Sequence, residues 1–171
     1  VAIGLIRMAG GTKHNAIPRD AEATIAFSPE DAPAVTEYIE KITEEVLEVY
    51  REKEFEDEPA IRFEKTDAPA RALTMESFEK VLACLTLLPT GVYSMSRQIE
   101  GMVQASDNLA IVETGDETVE IVLSIRSSDP KDQDQLRGKV LSVTEIAEAK
   151  VDTSGGYPAW EVKEESPLRD T

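Results

Sequence analysis

The chain has 171 residues, of which 41% are apolar, 30% charged and 5% aromatic. That composition suits one globular domain, or two small ones sharing a core, and excludes a disordered chain with too little to bury. A total of 18 Lys and Arg against 34 Asp and Glu leaves a net charge of −16, which repels phosphate backbones and anionic lipid, so neither nucleic acid nor membrane is expected as a partner. No apolar run approaches the roughly 20 residues of a spanning helix. The single Cys84 excludes an internal disulfide and a cysteine cluster, and the single His14 excludes a two-histidine zinc site from this chain alone; a reducing compartment fits.

Residues 1–8, almost all apolar or small, predict a buried strand. Gly10-Gly11-Thr12 breaks it into a loop running to Pro18. Ala21, Ala23, Ile25 and Phe27 then alternate with Glu22 and Thr24, which predicts a half-buried strand. Ser28-Pro29-Glu30-Asp31 carries a capping hydroxyl, a first-turn proline and two acids, the signature of a helix start. Val35, Ile39, Ile42, Val46 and Val49 follow as one helical stripe. It reads either as a coiled-coil seam or as a face packed on the protein's own sheet, and the helix length favours the sheet.

Residues 54–58 form an acidic linker, and residues 64–72 a further connection. Between them Ile61 and Phe63, alternating with Arg62 and Glu64, predict a short strand. A second helix starts near Met75, capped by Thr74, and closes at Pro89 and Gly91, with Cys84 in its core-facing region. Residues 108–113 and 119–126 read as two strands joined by the hairpin signal Thr114-Gly115-Asp116-Glu117. Asp129-Pro130 opens a third helix with Leu136, Val140, Val143 and Ala147 inward. Val151 leads into a last strand, and Ser154-Gly155-Gly156-Tyr157-Pro158 turns the chain out, with Tyr157 and Trp160 as packing residues at a domain junction. Hairpins mixed with helices in this order predict an α+β fold, a mainly antiparallel sheet with helices packed on one face.

Three places carry chemistry-bearing residues. The loop from Gly10 to Arg19 brings glycines, Thr12, Lys13, His14 and Asn15 together; an Asn there can give a ligand both a donor and an acceptor, or can simply satisfy a tight turn with Thr12. Arg126 lies on the strand face opposite Ile121 and Leu123, just before Ser127, Ser128 and a helix start. That suits a carboxylate or phosphate receptor, and equally an arginine paired with a surface acid. Ser154-Gly155-Gly156-Tyr157-Pro158 has the flexibility of a ligand-admitting loop, yet it lacks the phosphate-loop ending and reads alone as a turn.

Together with Leu88-Pro89-Thr90-Gly91-Val92, Met95-Ser96, Glu100-Gly101-Met102-Val103 and Ser106-Asp107-Asn108-Leu109, these segments resemble, in order, the lid region of the bacterial aminoacyl-histidine (Xaa-His) dipeptidases. These are cytosolic di-zinc enzymes of the aminoacylase and carboxypeptidase clan. The resemblance implies a ferredoxin-like lid and dimerisation domain over residues 1–165, taken from a longer peptidase, with Ser166-Pro167 and residues up to 171 starting a helix of the catalytic domain. It implies that Asn15 and Arg126 hold the backbone and C-terminal carboxylate of a dipeptide substrate, with supporting roles for Thr12, His14, Ser127, Gly155 and Gly156. It further implies subunit contacts in a homodimer, two zinc ions and their ligands in a catalytic domain outside this chain, no catalytic or metal-binding residue here, and a cytoplasmic setting. A non-enzymatic ferredoxin-like module for dimerisation or small-ligand binding is the alternative that fold alone leaves open.

Overall fold

A computed structural model describes residues 1–51, 59–67 and 71–158. The acidic linker 54–58, Trp160 and the helix start at 166–171 lie outside the described residues. In chain order the elements are β1 (Ile3–Gly10), β2 (Ala21–Phe27), a 3-10 turn (Pro29–Asp31), α1 (Ala32–Arg51), α2 (Met75–Leu87), β3 (Gly91–Met95), β4 (Val103–Thr114), β5 (Val119–Ser127) and α3 (Pro130–Ile146). All strand pairs are antiparallel, and the fold is α+β as the element order implied.

β4 is the spine of the sheet. β5 pairs with it from Ala105 to Thr114, while β3 and then β1 share its other edge, and β2 closes the sheet beyond β1. A bulge between Leu109 and Ile111 inserts Ala110 as an unpaired residue, so the parity of β4 changes halfway along. One face carries Ala105, Asp107, Leu109 and, past the bulge, Val112. The other carries Ser106, Asn108, Ile111 and Glu113.

α2 and α3 pack against each other, and α3 also contacts β4 and β5. Cys84, Leu88 and Ala147 form a buried cluster with Ile121, Leu123, Val140 and Val143 against it, and Leu136 is fully buried. These are the inward positions the helical spacing predicted. Thr74 caps α2 by accepting a hydrogen bond from the Ser77 amide at 3.2 Å, and Asp129 caps α3 by accepting from the Lys131 amide at 2.8 Å. Each satisfies an otherwise unpaired amide of the first turn.

Several expectations are corrected. The Ser28 hydroxyl makes no capping bond; its carbonyl accepts from the Asp31 amide at 2.9 Å, because Pro29 opens a 3-10 turn before α1 begins. The α1 stripe is buried at Val35, but Val46 and Val49 are 39% and 64% exposed. A 20-residue helix is about 30 Å long, and its apolar neighbours Ile61 and Phe63 line a groove along the part of it between Thr36 and Glu44. Ile61 and Phe63 are not in a strand; their alternation lines that groove. No strand follows Val151 among the described residues, since polar and glycine neighbours leave it no apolar face, and Tyr157 is exposed.

Candidate functional site

α2 and α3 pack on one side of the sheet, and the opposite face carries polar side chains. On it Arg7 of β1 bridges Glu22 of β2 and Glu113 of β4, at 3.0 and 3.2 Å. All three side chains are half or more exposed, so the pairs fix rotamers more than they stabilise the fold. Further along the same face Ser106 stands opposite Arg126, and Asn108 opposite Ser124. Asn108 and Arg126 are therefore diagonal neighbours, about 7–8 Å apart at the backbone. The Arg126 guanidinium is exposed and makes no hydrogen bond or ion pair among the described residues.

The loop between β1 and β2 comes down on this face. Its base is closed by the Gly11 amide donating to the Asp20 carbonyl, and its tip is a turn in which the Ala16 amide donates to the Lys13 carbonyl, each at 3.3 Å. His14 and Asn15 are the two central residues of that turn. Thr12, Lys13, His14 and Asn15 are all exposed. The Asn108 side-chain amide donates to the Ala16 carbonyl at 2.7 Å, tying the tip to β4. Gly11 sits at φ +72°, where a Cβ would fall 1.9 Å from the Ala110 carbonyl oxygen; only glycine permits that approach. Asn15 thus belongs to a tight turn, as one reading held, and that turn is held on the face that carries Arg126.

Ser127 faces the other way, opposite Ala105. Its hydroxyl donates to the Asp129 carbonyl at 2.7 Å and accepts from the Asp129 amide at 3.0 Å, shaping the turn that leads Arg126 into α3. The Ser128 amide donates to Gln104 at 2.9 Å. Asp132, in the first turn of α3, accepts from Ser94 and Gln104, and these bonds, with the nearby Arg97, hold its carboxyl below the usual range. Gly155 and Gly156 lie in exposed coil, Gly155 at φ +71° with open space around it; no hydrogen bond among the described residues ties them to Arg126 or to the turn at Asn15.

Two adjacent residues of β4, one on each face, had no role assigned from sequence. Asn108 anchors the loop, and Asp107 beside it is buried at 3% exposure with both carboxylate oxygens unpartnered. Burial pushes its pKa up to about 6, the nearby backbone N–H of Asn108 partly offsetting it. An Asp-Asn pair inside a run of strand-forming residues was the available signal, since both are depleted in strands.

Among the described residues no group of three or more His, Cys, Asp or Glu could hold a metal ion, and no helix is long and apolar enough to cross a membrane.

An antiparallel sheet with two helices on one face and a tethered polar loop on the other has counterparts among known proteins, and they are dipeptidases. The chain is 31% identical over 164 residues to the cytosol non-specific dipeptidase of Escherichia coli (strain K12), which covers 96% of this chain and 33% of that protein. The crystal structure of the aminoacylhistidine dipeptidase from Vibrio alginolyticus superposes with a TM-score of 0.84 at 30% identity, covering 98% of this chain and 34% of that one. No family model matches the chain. The chain is a homologue of one segment of these dipeptidases and spans about a third of their length.

Proposed function

We propose that this chain is the lid of a zinc-dependent, cytoplasmic Xaa-His dipeptidase. In this reading the lid holds a dipeptide over a catalytic domain that supplies two zinc ions and their ligands. The observation that carries it is an exposed arginine without a partner among the described residues, Arg126, on the same sheet face to which Asn108 ties the Asn15 turn. A guanidinium presents a planar fork of donors that matches a carboxylate in two parallel bonds. Arg126 would take the substrate's C-terminal carboxylate, and the Asn15 amide, as donor and acceptor at once, would take its peptide backbone. Thr12 and His14 precede Asn15 and would support it from the same loop, Ser127 sets the exit of the Arg126 strand, and Gly155 and Gly156 would give backbone room to a second wall of the site.

Bringing such a domain down over a bound dipeptide excludes water and fixes the scissile bond, while the bond-breaking groups belong to the catalytic domain. The edge of β5 that is unpaired among the described residues and the exposed end of α1 suit contacts with a second copy in a homodimer. The test is hydrolysis of Xaa-His dipeptides by the full-length protein with Asn15 and Arg126 intact or replaced. Loss of catalytic efficiency on replacing either is expected; wild-type efficiency in both Asn15→Ala and Arg126→Ala overturns the reading.

A further inference from the structure

We propose that Asn108 is a positioning residue, whose side-chain amide fixes the Asn15 turn at the spacing from Arg126 that lets one small ligand meet both. This rests on the substrate-holding reading above and adds the part that sets the geometry. Asn108 joins residues 92 positions apart in sequence through its 2.7 Å bond to the Ala16 carbonyl, one residue from Asn15. The same strand presents Ser106, two residues away, opposite Arg126. One side chain therefore links the loop directly to the strand pair that carries the guanidinium.

The surrounding backbone is built to receive that link. The bulge at Ala110 brings its carbonyl oxygen against Gly11, and the left-handed Gly11 admits the approach. The loop is thus seated at its base by backbone shape and at its tip by the Asn108 amide. Removing the tip bond leaves the Gly11–Asp20 and Lys13–Ala16 backbone bonds in place. The turn then keeps its shape and loses its address. Because the bond is solvent-exposed, its loss disturbs the position of Asn15 far more than the fold.

The experiment is a double-mutant cycle in the full-length protein on an Xaa-His dipeptide. Asn108→Ala, and Asn108→Leu, which keeps the shape and loses the donor, should each lower kcat/KM about 3- to 10-fold, the size of one neutral hydrogen bond. The loss should fall mainly on KM, with little change in thermal midpoint. Added to Asn15→Ala, Asn108→Ala should cost less than about twofold more, because the residue it positions is already gone. An equal cost in both backgrounds, or none in the wild-type background while Asn15→Ala and Arg126→Ala are impaired, overturns this inference alone. Full activity in Asn15→Ala and Arg126→Ala overturns the substrate-holding reading and this inference together.

Discussion

Asp107 and Ile125 face each other across the β4–β5 pair, a carboxyl against an alkyl side chain on the helix-covered side of the sheet. Gly91 occupies the matching position on β3, so no side chain there offers a donor. The charged group at the start of α3, Asp132, is engaged by Ser94 and Gln104. The carboxyl is consequently easier to bury protonated than ionised, and its pKa of about 6 reflects that.

The consequence for pH follows from the direction of the shift. A carboxyl raised from 3.8 to about 6 on folding contributes fully below its unfolded value, and the contribution is lost as pH rises through 6. Stability should decline between about pH 4 and pH 7 by on the order of 2–3 kcal/mol from this group. Asp107→Asn should remove that component, and Asp107→Leu should also raise stability at pH 7 by taking an unpartnered charge out of the core. Urea denaturation midpoints measured across this range, wild type against variant, check it.

Gly11 and Gly155 share nearly the same left-handed φ but not the same surroundings. Gly155→Ala should cost about 1–2 kcal/mol, the backbone penalty alone. Gly11→Ala meets the Ala110 carbonyl as well and should cost more, with the loop lifting off β4. Thermal denaturation of the two variants, and the amide NMR signals of residues 12–17 in Gly11→Ala, report the difference.

Core and caps give a scale for comparison. Leu136 is fully buried in α3, and Leu136→Ala should destabilise by about 2–5 kcal/mol through lost burial and the cavity left behind. Thr74→Ala and Asp129→Ala should each cost about 1 kcal/mol. Chemical denaturation orders the three.

Arg126→Ala in the full-length protein should lower kcat/KM by about 2–4 kcal/mol in transition-state binding, roughly 30- to 800-fold. Arg126→Lys keeps the charge and loses the fork, so it should recover only part of that loss. Unchanged kinetics in Arg126→Ala would remove this residue from the site.

Much of the fold was legible because local pattern and tertiary role agree. The alternation from Ala21 to Phe27, the Thr74 and Asp129 caps, the turn at Gly115 and the stripe from Leu136 to Ala147 all appear as read. β3 was missed because five residues after a proline and a glycine, Gly91–Met95, carry little periodicity and pair through two register shifts. β4 begins five residues earlier than its apolar run because Gln104, Ser106 and Asp107 look like loop residues until the partners of that strand are known. Arg126 could be put on its face by counting from Ile121 and Leu123. The Asn108 tether could not, since a bond across 92 residues leaves no local trace.

Ala110 has a consequence beyond its own position. From Ser106 up to it, even-numbered side chains of β4 look outward; downstream, odd-numbered ones do. Excising this one alanine would rotate the far half of the strand by a half-turn, driving Glu113 among the hydrocarbons and turning Val112 toward water, with the Arg7 ion pair to Glu113 severed in the same stroke. A methyl-bearing residue with no ladder partner thus acts as the phase-setter for everything threaded after it.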